Sequence, residues 1–143
     1  MSTSQPKYPR GLPHFDLGQA YYHLIFRLKT GFLNPEEIEL VRNQVINGNT
    51  KFYRLIAIQV MGNHVHIVLQ PNAGYLINRI IGGIKSETAK QVNAIRGVEG
   101  RLWSDKYFDR VVRSKADLDK TLQYLEYNPV KSDIVDDPSK YPG

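Results

Sequence analysis

The sequence predicts an α+β fold of ferredoxin-like type: a β-α-β-β-α-β antiparallel sheet with helices on one face, plus a C-terminal helix carrying Tyr124. Three observations predict it. Phe52–Val60 and the run from His64 to Gln70 have strand character and are separated by Gly62-Asn63, a turn signal that joins them as a hairpin. On each side of that hairpin a segment of helical periodicity leads to a further strand, so two β-α-β crossovers share it. A last helical pattern then follows the fourth strand.

In chain order, residues 1–19 are rich in Pro and Gly and read as a flexible N-terminal arm, with 20–143 as a single domain. Ala20–Lys29 alternates, with Tyr22, Leu24, Phe26 and Leu28 on one face and Tyr21, His23, Ile25 and Arg27 on the other. Asn34-Pro35-Glu36-Glu37 supplies an N-cap, a proline at the first helical position and two acids in the first turn. The helix it opens carries Ile38, Val41 and Val45 and stops at Asn47-Gly48. After the hairpin, Leu76, Ile77, Ile80, Ile81, Ile84, Val92 and Ile95 have helical spacing, which predicts a helix over about 75–96 with a weak point at Gly82-Gly83. Tyr107–Arg113 is the fourth strand. Ser114 caps the last helix, Asp117 stands three residues on, and Asn128-Pro129 ends it.

Composition bounds the function. The 143 residues are 41% hydrophobic and 23% charged, as in an ordinary soluble domain with one core. No apolar run approaches a membrane span and the N-terminus has no signal-peptide core, so a cytoplasmic protein without membrane contact is expected. The absence of Cys excludes disulfides and thiolate metal sites, leaving nitrogen and oxygen ligands for any metal. The formal charge is +5, and residues 79–120 hold ten Lys and Arg against six Asp and Glu. Such an excess suits a polyanion such as nucleic acid, and equally a solvated basic surface.

His64 and His66 stand two apart on the third strand, so they share a face at a separation of ~7 Å, which lets both ligate one ion. A purely structural pair would have the same spacing. On the last helix Leu118, Leu122 and Leu125 form a core stripe, Tyr124 and Asn128 share one flank, and Tyr127 points the other way. A helix lying on the sheet can present Tyr124 and Asn128 to it. Alternatively, Tyr124 packs half-buried and Asn128 caps the helix. Spacing leaves both readings open.

Three stretches go further: Met61–Leu69 (MGNHVHIVL), Leu102–Arg113 (LWSDKYFDRVVR) and Leu118–Lys131 (LDKTLQYLEYNPVK). On them the chain, from about Tyr21 to Val135, resembles the HUH single-tyrosine transposases, above all the branch associated with repetitive extragenic palindromes. The resemblance implies a ferredoxin-like fold and a divalent-metal endonuclease and strand transferase acting on single-stranded DNA near hairpins through a covalent 5′-phosphotyrosine. It implies that His64 and His66 bind the metal, that Tyr124 is the nucleophile and that Asn128 completes the metal site. It also implies single-stranded or hairpin DNA as partner, a nucleoid-associated location and a homodimer, since relatives include swapped dimers whose terminal helix docks on the partner. The sequence departs from the family at Gly62, where proline is usual, and at Ser132-Asp133. It stops at Tyr141-Pro142-Gly143, where relatives continue, so a basic or DNA-reading tail is expected to be missing. A relaxase- or replication-initiator-like nickase and a domesticated, non-catalytic hairpin-DNA-binding protein are the alternatives.

The chemistry fits these residue types. A free tyrosine hydroxyl ionises only near pH ~10, so attack at neutral pH needs help. A divalent ion on two imidazoles polarises a phosphate and stabilises its developing charge. Mg²⁺ or Mn²⁺ suits a phosphate site, with imidazole favouring Mn²⁺. Lys85, Arg110, Arg113 and Lys131 are candidate DNA contacts, as are Lys90 and Arg96, against the alternative of solvated charge. Trp103 either stacks on a base or anchors the core. His23 has strand parity toward one sheet face and stays open as a neighbour of the site.

Overall fold

Alternation along the strands gives this protein a sheet with two unlike faces, each covered by different helices. The computed structural model describes residues 20–127 and 133–134. The expected N-terminal arm, the helix stop at Asn128-Pro129, and the site candidates Asn128 and Lys131 lie outside the described residues. The elements are β1 (Tyr21–Leu28), α1 (Pro35–Asn47), β2 (Tyr53–Val60), β3 (His64–Pro71), α2 (Ile77–Arg96), β4 (Trp103–Val112), α3 (Lys115–Glu126) and β5 (Asp133–Ile134). The sheet order is β4-β1-β3-β2-β5, and every neighbouring pair is antiparallel. The ferredoxin-like expectation is borne out. The two-residue β5 on the edge of β2 is an addition the sequence did not predict.

One face of the sheet is the core. Tyr22, Leu24 and Phe26 of β1 and Val65, Ile67 and Leu69 of β3 are buried there with Val41 and Val45 of α1 and Ile80, Ile81, Ile84 and Val92 of α2. The α1 N-terminus closes with the capping box expected at Asn34 and Glu37. The helix α2 runs unbroken through Gly82-Gly83. Two glycines cost it ~1 kcal/mol each in propensity, and the buried isoleucines on either side offset that. It ends at Gly97, whose φ of 68° is the left-handed conformation a helix stop favours.

The fourth strand starts at Trp103, four residues earlier than expected. A register shift opposite Phe26–Leu28 breaks the alternation there, so the polar run Ser104–Lys106 hides the strand. Trp103 is a packing anchor. Its ring meets Phe26 edge-on with centroids 4.8 Å apart, and its Nε1 donates to Thr88 Oγ1 at 2.8 Å.

A bulge also decides what β2 offers. Leu55 pairs with Leu69 but Ala57 with Val68, so Ile56 is the extra residue. Tyr53 and Leu55 therefore face α1 and α2, where the Tyr53 hydroxyl donates to Val45 O. Beyond the bulge the parity flips, and Gln59 points to the opposite face, which α3 covers.

Arg96, a candidate DNA contact by sequence, is instead a bolt between α1 and α2. Its guanidinium donates to both carboxylate oxygens of buried Glu37, at 2.8 and 2.9 Å, and to Phe32 O. The hydrogen bonds from Arg96 hold the Glu37 carboxyl below the usual carboxylate range, against the opposing effect of burial. Replacing Arg96 with Met should strand a buried carboxylate and destabilise the fold by about 3 kcal/mol in urea titrations. Adding Glu37→Gln to that variant should recover part of the loss. No recovery would mean that the ion pair is not what Arg96 contributes.

Candidate functional site

The second face of the sheet gathers polar side chains because of the register between β1 and β3. Arg27 is the Cα partner of His64, Ile25 of His66 and His23 of Val68, and directly paired residues project from the same face. β4 continues the rows with Phe108 beside Ile25 and Arg110 beside His23, and β2 adds Gln59 beside His66.

The helix α3 docks on this face. Leu118, Leu122 and Leu125 are buried along its stripe, as their spacing predicts. Gln59 Nε2 donates to Leu125 O at 2.9 Å near the end of the helix. Near its start, Arg110 donates to both carboxylate oxygens of Asp117, at 3.0 and 3.1 Å, and to Thr121 Oγ1 at 2.7 Å. Tyr124 falls on the flank facing β3, with its ring centroid 6.1 Å from that of His66. It remains 57% exposed and so open to a ligand, whereas Tyr127 is 88% exposed on the other side.

Three imidazoles meet beneath it. His23 Nε2 lies 3.0 Å from His66 Nδ1, and the His64 and His66 ring centroids are 5.1 Å apart. His64 Nδ1 lies 2.8 Å from Asn63 Oδ1. His23 and His66 are buried, and His64 is half-buried. Burial, then the Arg110 charge, pushes His23 down to about 4, with Asp117 opposing. Burial, then the neighbouring His23, His64 and Arg27, pushes His66 down to about 4 as well. His64 is lowered by burial and Arg27. All three are neutral at physiological pH, the form in which imidazole binds a metal.

Among the described residues no group of three or more His, Cys, Asp or Glu side chains could hold a metal ion. What they offer is a pair of neutral imidazoles, His64 and His66, beside an exposed tyrosine. That pair fits a divalent ion taking nitrogen ligands while leaving positions open.

The other expected residues are dispersed. Lys85 Nζ donates to Ser104 O at 2.7 Å and lies 5.7 Å from the Tyr107 ring centroid, tying α2 to β4 on the core side. Arg110 is on the site face, but its guanidinium is taken up by Asp117 and Thr121. Expected as a DNA contact, it also anchors α3. Arg113 is exposed at the end of β4. Sequence reasoning missed two neighbours of the His pair, exposed Arg27 across from His64 and Asn63 just before it. Strand parity was enough to put Arg27 on the same face as His23. Pairing it with His64 required the register.

Comparison with known proteins gives the family and supports the fold. Residues 16–128 match the family described as Transposase IS200 like. A Haemophilus influenzae protein named as a REP-associated tyrosine transposase is 25% identical over 96 residues, which is 59% of this chain and 53% of that protein. The match thus spans about half the length of that relative. Two solved structures share the fold. One is a REP-associated tyrosine transposase bound to a REP hairpin, with a TM-score of 0.62 and 16% identity over 87% of this chain and 73% of that one. The other is a Deinococcus radiodurans protein named as a transposase, with a TM-score of 0.53 and 22% identity over 85% of this chain and 97% of that one.

The buried imidazoles carry a pH signature. Unfolded, they take a proton near pH 6.5, whereas folded His23 and His66 resist it until about 4. Stability present above pH 6.5 should therefore drain away as pH falls toward 4, by a few kcal/mol in total. Urea midpoints of the metal-free protein should trace this decline. His23→Leu should make it shallower, and an unchanged slope would exclude His23 as a source.

Proposed function

The chain belongs to the IS200-like transposase family, and from that premise we propose that it is a single-tyrosine DNA endonuclease and strand transferase. The observation that carries this reading is the position of Tyr124, exposed and 6.1 Å, centroid to centroid, from His66 of the same chain. The Tyr124 hydroxyl oxygen attacks a phosphodiester of single-stranded DNA, and its proton passes to solvent. The P–O bond to the 3′ oxygen breaks and that oxygen takes a proton from solvent, leaving a 5′-phosphotyrosine and a free 3′ hydroxyl. Because the phosphoester link is conserved, a second 3′ hydroxyl can attack it, rejoin the strand and release the tyrosine.

A divalent ion, Mg²⁺ or Mn²⁺, held by His64 and His66 with Asn128 as expected third donor, would supply electrostatic stabilisation of the phosphate in both directions. The chain's own residues orient the substrate. Arg27, beside His64, is exposed on the site face and suited to a phosphate oxygen. Phe108 lies in the row of His66 and Ile25 and is also exposed, which suits it to stack on an unpaired base. A hairpin beside the cleaved strand is the partner we favour, because a protein of the same fold was solved bound to a REP hairpin. The excess of positive charge in residues 79–120 is consistent with it. No helix among the described residues is long and apolar enough to cross a membrane, and a DNA substrate would put the protein at the nucleoid.

The test is a hairpin DNA with a single-stranded flank, labelled at its 3′ end, run with the protein on a denaturing gel. Wild type with Mn²⁺ should retain label covalently. Tyr124→Phe should abolish the adduct with hairpin binding nearly intact, and Tyr127→Phe should keep it. His64→Ala or His66→Ala should lose cleavage, as should excess chelator. An adduct on Tyr127, or full cleavage in chelator, would overturn this assignment. Tight binding by the wild type without any adduct would instead identify a non-catalytic hairpin binder.

A further inference from the structure

We propose that His23 and Asn63 are positioning residues that fix the tautomers of His66 and His64, leaving the Nε2 lone pair of each free for a divalent ion. This deepens the metal reading above and rests on it.

A neutral imidazole has one N–H and one lone pair, and only the nitrogen bearing the lone pair can bind a metal. Which nitrogen that is depends on the partner of the other. For His64 the partner is Asn63 Oδ1 at 2.8 Å from Nδ1. A carbonyl oxygen only accepts, so Nδ1 carries the hydrogen and Nε2 the lone pair. For His66 the partner is another imidazole, His23, whose Nε2 lies 3.0 Å from His66 Nδ1. Two arrangements satisfy that contact. If His23 donates, His66 carries its own hydrogen on Nε2 and cannot bind an ion there. If His66 donates, its Nε2 is free and His23 accepts. An ion shared by both imidazoles through their open nitrogens requires the second arrangement. His23 must then be neutral, with its hydrogen on Nδ1.

The geometry is that of a designed contact. The His23 and His66 rings are inclined by only 24°, with centroids 5.3 Å apart. That separation exceeds the nitrogen–nitrogen distance by about two ring radii, so the bond runs edge to edge along the line of centres. Both side chains are buried, so water does not compete for the hydrogen bond. His23 is held in turn by the fold: it is the Cα partner of Val68, diagonal to His66, and on its other side it pairs with Arg110, the residue that anchors α3. Asn63 occupies the β2–β3 turn and is positioned through backbone bonds, its carbonyl accepting from Leu28 N.

Removing such a partner typically weakens metal binding by ~10–100-fold. The experiment is in two parts, neither of which reads catalysis. Long-range ¹H–¹⁵N correlation spectra of the metal-free, histidine-labelled wild type should show His64 and His66 both protonated at Nδ1, and His23 accepting at Nε2. Calorimetric titration with Mn²⁺ alone should show binding ~10–100-fold weaker in His23→Leu, and largely recovered in His23→Gln, whose amide oxygen can accept the same hydrogen. A His66 protonated at Nε2 in the wild type would overturn the proposal, as would a folded His23→Leu that binds Mn²⁺ like the wild type. If the leucine variant does not fold, the wild-type spectra decide. Wild-type protein that binds no Mn²⁺ would overturn the metal reading itself, and this inference with it, whereas unchanged affinity in the leucine variant overturns the inference alone.

Discussion

The register of β1 against β3 is the constraint on which the rest of the site depends. It pairs Arg27 with His64 and Ile25 with His66, and it sets His23 diagonal to His66. Because side chains alternate, a slip of β1 by one residue would turn His23 into the α1/α2 core, part it from His66 and expose Leu24 and Phe26. The cost of burying that apolar set wrongly is what locks the polar set in place. Chemistry on one face is thus secured by packing on the other.

The second requirement is that a helix carrying a tyrosine be held over that polar face without blocking it. A leucine stripe alone would set the distance but allow α3 to rotate or slide. Arg110 and Gln59 remove that freedom at opposite ends of the helix, through Asp117 and Thr121 at one and the Leu125 carbonyl at the other. The Arg110 Nη1 reaches the Asp117 carboxylate and its Nη2 reaches Thr121, so one guanidinium holds two residues a turn apart on the helix. One irregularity contributes: the bulge at Ile56 turns Gln59 onto the α3 face.

The polar face is also costly to build. Three imidazoles share one small volume, and burial together with Arg27 and Arg110 keeps them uncharged. Neutral imidazoles, His23 in contact with His66 and His64 with Asn63, contribute little to the core, and under the proposed function they would serve a cation. Arg27, exposed beside them, adds an anion-binding charge at the edge. The proposed phosphoryl chemistry would use these imidazoles for a cation and Arg27 for a phosphate.

Most of the fold could be read from the sequence, because period-2 and helical patterns report directly which side of an element meets apolar neighbours. The hairpin, the three helices, the Asn34 cap and the leucine stripe of α3 all follow from local patterns, and so does the phase that separates Tyr124 from Tyr127. The pairing of His64 with His66 on one face follows from alternation alone. The early start of β4 was hidden by a polar run at a register shift, and β5 is too short to leave a pattern. What belonged to the tertiary structure was every contact between elements distant in the chain: His23 against His66, Arg110 tied to Asp117 and Thr121 of α3, Arg96 turned into a bolt on Glu37, and Lys85 spent on Ser104. Local periodicity fixes the direction in which a side chain points from its own element. Which group meets it there depends on register and on which helix covers which face, and those are settled only when the whole sheet closes on its core.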